Sequence, residues 1–128
     1  MSRKIEDLTP ETQEKYWLFD AAMHKADIDY IVTCTYRSQE EQDVLYSQGR
    51  TTPGKRVTWT RNSRHTLRTA FDICLLLHGK LLWNPNLDTD GDGVPEYMEA
   101  GKIGESIGLV WGGSWATNKD APHFQLGG

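Results

Sequence analysis

His65, Asp72 seven residues later, and Asp120 with His123 three residues beyond it are the side chains of this 128-residue chain whose types could combine into chemistry. Two imidazoles and one carboxylate are the donor set of a zinc ion that keeps its fourth position open for water, as catalytic sites do; structural zinc sites close all four positions with protein ligands. A second carboxylate beside such an ion can take the proton of an attacking water. Spacing alone leaves a plainer alternative open, a hydrogen-bonded core histidine and two surface acids. His24 and His78 fit no constellation and are expected on a helix surface and in a turn.

A second candidate is the stretch DTDGDGVPEYME at residues 88–99. Oxygen donors fall at loop positions one, three, five, nine and twelve as Asp88, Asp90, Asp92, Glu96 and Glu99. Gly93 takes the sixth position, where the chain must turn sharply, and the Val94 carbonyl adds a seventh-position donor. Such a list suits calcium better than magnesium, which demands fewer, stiffer ligands. Pro95 stands at the eighth position, where a paired EF-hand joins its partner loop through an amide that proline lacks. The expectation is therefore a lone EF-hand-like loop; the plainer reading is an acidic, solvated turn.

These residues need elements to hold them. Thr9 before Pro10 reads as a helix start, and Tyr16, Phe19, Met23 and Ala26 recur at helical spacing, which predicts a helix to about Lys25. The β-branched and aromatic run at 29–36 predicts a buried strand ending at Arg37. Ser38 with Glu41 forms a capping box for a second helix that Gly49 stops. The apolar runs around His78, Gly79 and Lys80 predict a β-hairpin in which Phe71, Ile73 and Leu75 share one face, leaving Asp72 and Cys74 on the other. A helix from Pro95 to Ile107, stopped by Gly108, and a last short strand at 123–126 complete an α+β arrangement with a small, mostly antiparallel sheet.

Length predicts one domain, residues 1–128. Five of the 18 acidic residues lie in the 88–99 loop, so the remaining 13 nearly balance the 14 lysines and arginines. There is no basic stripe for nucleic acid and no run long enough to span a membrane. Cys34 and Cys74 sit in apolar runs and read as buried thiols. The N-terminal stretch has no apolar core of the secretory kind, which predicts accumulation in the cytoplasm until something else releases the chain.

Several separate segments resemble one family. The stretch SRHTLRTAFD at 63–72 resembles the S-x-H-x-x-G-x-A-x-D motif of the zinc-dependent peptidoglycan peptidases, which include VanY-type D-Ala-D-Ala carboxypeptidases and phage L-alanyl-D-glutamate endopeptidases. TYRSQEEQDVLYSQGRT at 35–51 is similar to the arginine-bearing strand and helix upstream of that motif. GLVWGGSW with DAPHFQ, within 108–125, is similar to the closing segment, and the short single-domain phage endolysins are the nearest in kind.

The resemblance implies a zinc DD-peptidase, hedgehog-like fold, zinc held by His65, Asp72 and His123, and Asp120 as catalytic base. It also implies Arg37 near the metal, where a guanidinium would grip a substrate carboxylate or an oxyanion, the alternative being a structural salt bridge. Ser63 would bind substrate or orient a ligand. Trp111 and Trp115 would line a cleft or pack in the core. The motif glycine is replaced by Arg68, which implies either another loop conformation or a charge projected toward the substrate.

The function expected on these grounds is a zinc endopeptidase cutting the L-Ala-D-Glu bond of peptidoglycan stem peptides. It would act as a monomeric phage endolysin, held in the host cytoplasm until lysis, with no nucleic-acid or membrane partner and with calcium at 88–99 regulating or stabilising it. The alternatives are a D-Ala-D-Ala carboxypeptidase and a non-catalytic calcium-binding module.

Overall fold

The computed structural model describes residues 1–127. Helix α1 (Pro10–Lys25) begins where proline fits the first turn, and the Thr9 hydroxyl accepts from the Thr12 N–H. Strand β1 (Tyr30–Cys34) leads to helix α2 (Gln39–Ser47), which carries both halves of the Ser38/Glu41 capping box. Strands β2 (Ala70–Leu77) and β3 (Lys80–Leu82) form the predicted hairpin. Its two-residue turn puts His78 and Gly79 at φ 51° and 77°, the left-handed pair that a tight hairpin requires. Helix α3 (Glu96–Ser106), strand β4 (Leu109–Trp111) and strand β5 (His123–Leu126) follow.

The sheet runs β1-β2-β5-β4 with β3 paired to the far half of β2, and every pairing is antiparallel. Period-two alternation divides its residues. Phe71 and Ile73 of β2 and Phe124 of β5 enter a fully buried core under Phe19 and Met23 of α1. The Phe19, Phe71 and Phe124 rings lie 4.8–5.5 Å apart, edge-on, tilted or stacked. Asp72, His123 and Gln125 alternate with these residues and point to the other face, so the core that fixes the strands also fixes the side chains opposite it.

The expected buried strand at 29–36 is shorter and lies at the sheet edge, with Ile31 exposed. Residues beyond Cys34 leave the sheet because the N-terminal segment claims their backbone. The Ser2 N–H donates to the Tyr36 carbonyl, and the Thr35 N–H donates to the Ser2 carbonyl, each at 2.8 Å.

Candidate metal centre

Register across three strands builds the first half of the site. Cys34 of β1 lies opposite Asp72 of β2, and Asp72 lies opposite His123 of β5, so the three side chains form a row on one sheet face. His65 arrives above this row from successive tight turns before β2, where the Thr66, Leu67 and Arg68 N–H groups bond to carbonyls three residues back. The Ser63 hydroxyl accepts from the His65 N–H at 3.1 Å, so Ser63 orients the backbone of His65 from the same cleft wall.

Each imidazole is held by the nitrogen that faces away from Asp72. His65 Nδ1 is 3.1 Å from the buried Thr35 carbonyl and must donate to it, so the neutral ring carries its lone pair on Nε2. That nitrogen is 3.1 Å from Asp72 Oδ1 but misaligned for a hydrogen bond, and it has no hydrogen-bond partner among the described residues. His123 Nε2 is 2.8 Å from Gln125 Oε1, while Nδ1 is 2.9 Å from Asp72 Oδ1. Burial disfavours a charged His65 ring, yet Asp72 and then Cys34 outweigh it and raise its pKa to about 10. Burial likewise disfavours the Asp72 carboxylate, but His123 and His65 hold it well below the usual range. Asp72 thus favours positive charge on the rings that face it.

Asp120 belongs to the same constellation, since ligand atoms of Asp72, Asp120 and His123 lie within 4.8 Å of one another. Its N–H donates to the Gly112 carbonyl at 3.0 Å, and a Cβ at Gly112 would stand 2.3 Å from the Asp120 carbonyl oxygen. Glycine is therefore required there by the close approach of the Asp120 segment. The Asp120 side chain is exposed in the cleft, while the walls around it and then the charge of Asp72 push its carboxyl up, against His123, His65 and Arg37.

Arg37 lines the cleft and pairs with no protein carboxylate among the described residues. Its Nη1 donates to Gln42 Oε1 at 2.7 Å, and the fully buried Gln42 also donates to the Thr60 carbonyl at 2.6 Å, tying α2 to the wall segment at 58–60. The cleft holds about 760 Å³. Trp115 lines it with its ring 5.3 Å from that of His123, whereas Trp111 is buried in the core. Arg68 keeps the backbone a glycine would adopt, at φ 63°. It does not reach toward the substrate side: its guanidinium lies 3.9 Å from the Tyr36 ring centroid and donates to the Asp7 carbonyl at 3.0 Å.

The acidic loop forms its own cluster between β3 and α3. Carboxylate oxygens of Asp88, Asp90, Asp92 and Glu96 lie within 4.8 Å of one another. Asp88 accepts from the Gly91 and Gly93 N–H groups, Asp90 from that of Asp92, and Asp92 from that of Val94. Gly93 turns at φ 84°. Glu96 Oε2 accepts from the Thr89 N–H, while its buried Oε1 has no hydrogen-bond partner among the described residues. Glu99 lies against Asp92, whose hydrogen bond and charge push its carboxyl up to about 7.

Sequence reasoning thus named the residues at the centre but missed four of their supports: Cys34, whose thiol clusters with His65 and Asp72, and Thr35, Gln42 and Gln125. Gln125 had a signal, since a residue two positions after His123 in a strand shares its face.

A family profile described as D-alanyl-D-alanine carboxypeptidase matches residues 56–126. Over 123 residues the chain is 35% identical to the peptidoglycan L-alanyl-D-glutamate endopeptidase CwlK of Bacillus subtilis, a match that spans 94% of this chain and 74% of that protein. The L-Ala D-Glu endopeptidase ChiX of Serratia marcescens has a similar structure, with a TM-score of 0.73 at 22% identity over 96% of this chain and 83% of that one. The LD-carboxypeptidase LdcB matches with a TM-score of 0.66 at 16% identity, over 98% of this chain and 63% of that one. At these identities the two structures bear on the fold alone, and they share its α+β architecture.

Proposed function

The chain belongs to the peptidase M15 family, in the branch described as D-alanyl-D-alanine carboxypeptidase, and is a metallopeptidase; from this premise we propose that it is a zinc-dependent endopeptidase cutting the L-Ala-D-Glu bond of peptidoglycan stem peptides. The observation that carries the reading is the convergence of His65 Nε2 and His123 Nδ1 on Asp72 Oδ1, at 3.1 and 2.9 Å, with both far nitrogens anchored. Ligands about 2.0–2.1 Å from a tetrahedral zinc lie about 3.3 Å from each other, which the two distances to Asp72 match; His65 and His123 fall in separate ligand groups that share Asp72, so an ion held by all three would draw the two rings together. The unpartnered, buried Nε2 of His65 fits for the same reason. The bond specificity is supported by the activity named for CwlK.

His65, Asp72 and His123 would hold the ion, and Thr35 and Gln125 would fix the tautomers that aim the rings. Zinc bound there supplies Lewis-acid chemistry and lowers the pKa of water from about 16 toward 7. Asp120, close to the ligands yet open to the cleft, accepts a proton from the attacking water and returns it to the leaving amine. Arg37, anchored by Gln42 and free of any protein carboxylate among the described residues, offers its charge to the oxyanion of the scissile carbonyl. Ser63 serves through the His65 backbone.

The 88–99 loop is read as a calcium site of Asp88, Asp90, Asp92, Glu96, Glu99 and the Val94 carbonyl. Four gathered carboxylates, the glycine turn at the sixth position and the bare Glu96 oxygen support it. The whole is read as one catalytic domain with this loop inserted, working as a monomer. A lytic, endolysin-type role, with the enzyme kept in the cytoplasm until lysis and then acting on the wall, rests on the segment likeness set out above. Among the described residues, no helix is long and apolar enough to cross a membrane. Metal analysis should find one zinc per chain in wild type and in Asp120→Asn, with turnover in the variant down by about 10²–10⁴. An Asp120→Asn protein that still digests peptidoglycan would sink the mechanism.

A further inference from the structure

Three of the five tryptophans, Trp59, Trp83 and Trp115, line the cleft that holds the candidate metal ligands. Trp59 and Trp83 keep 58% and 62% of their surface exposed. One exposed aromatic is ordinary, but two bare indoles on a cleft that already carries chemistry are a prepared apolar surface. Each is attached to an ordered neighbourhood. The guanidinium carbons of Arg50 and Arg56 each lie 5.9 Å from the Trp59 ring centroid. Trp83 follows Leu82, whose carbonyl accepts from the hydroxyl of the buried Tyr97 at 2.7 Å. An indole, with only two side-chain torsions, loses little conformational entropy when a ligand covers it.

The occupant follows from the chemistry of the substrate. The L-Ala of a stem peptide is joined by an amide to the lactyl group of muramic acid, so the bond proposed above lies one residue from a pyranose ring. A substrate seated with that bond at His65, Asp72 and His123 brings sugar to the walls of the same cleft. The C–H face of a pyranose complements the electron-rich face of an indole. A cleft of about 760 Å³ also has more room than an Ala-Glu pair fills. We infer that Trp59 and Trp83 are stacking platforms for the glycan strand, and that the true substrate is the glycan-linked stem peptide, with the free peptide a poor one. This rests on the L-Ala-D-Glu reading for its distance from sugar to metal, but glycan binding can be measured without turnover.

Two substrates with the same peptide test it, one still attached to its glycan strand and one released by an amidase. With zinc-loaded enzyme, kcat/KM should favour the glycan-linked form by about tenfold or more, the scale of a buried tryptophan contact. Trp59→Ala and Trp83→Ala should shrink that preference toward unity. Trp17→Ala, on α1 and equally exposed at 56%, should leave it intact. Peptide-free glycan strands should change the tryptophan fluorescence of wild type, and Trp59→Ala/Trp83→Ala together should abolish the change. Equal kcat/KM on the two substrates, or equal losses on both in the variants, would overturn the inference by making the indoles peptide contacts or bystanders. If neither substrate is cut but the strands still bind through these indoles, the platform stands and the bond reading alone fails.

Discussion

Gln125 lies outside the proposed metal-ligand set, yet its amide decides which nitrogen of His123 carries the proton, because Oε1 accepts from Nε2 at 2.8 Å. Gln125→Ala should therefore weaken zinc binding by roughly 10- to 100-fold in a chelator competition while the fold persists. Unchanged affinity would mean that the orientation of His123 is set elsewhere. Arg68 tests a different kind of support, a left-handed backbone held by side-chain contacts. Arg68→Ala keeps the strain and loses the Tyr36 stacking and the Asp7 carbonyl bond, so urea unfolding should show a loss of about 1–2 kcal/mol. Arg68→Gly relieves the strain and should cost less; a larger loss for glycine than for alanine would refute this account. At this scale the sequence was legible where spacing is local, as in the 63–72 motif. It was silent where strands meet, since the placement of Cys34 beside Asp72 depends on cross-strand register.

Among the elements, caps and turns were the most readable parts: the Ser38/Glu41 box, the Thr9-Pro10 start and the left-handed turn at His78 and Gly79 each form within a few residues. The extent of β1 was not readable, because a distant N-terminal segment takes the backbone of residues 35 and 36. The 88–99 loop joins the hairpin that carries Asp72 to the helix preceding the segment of Asp120 and His123, so ordering it restrains both halves of the centre. If it binds calcium, ion at 100 times its dissociation constant should stabilise the zinc-loaded protein by about 2.7 kcal/mol. Thermal unfolding with and without calcium measures this, and Asp88→Asn should remove most of the increment. An equal shift in the variant would show that calcium acts elsewhere.

In the whole molecule, one sheet separates two tasks. An aromatic core under α1 fixes the strands, and the opposite face displays Asp72, His123 and Gln125 to a cleft walled by the segment after α2. That division accounts for how a chain of this length can hold a pre-organised centre: side chains needed for chemistry alternate with side chains needed for burial. The charge balance follows a similar division, with acidity concentrated in one loop and a near-neutral remainder. The most direct test of the central claim is mass spectrometry of purified peptidoglycan digested by the zinc-loaded enzyme. The account predicts peptides with a new N-terminal D-Glu and glycan strands that retain a muramyl-linked L-Ala. Free D-Ala with no new N-terminal D-Glu would contradict it and assign the centre to carboxypeptidase action.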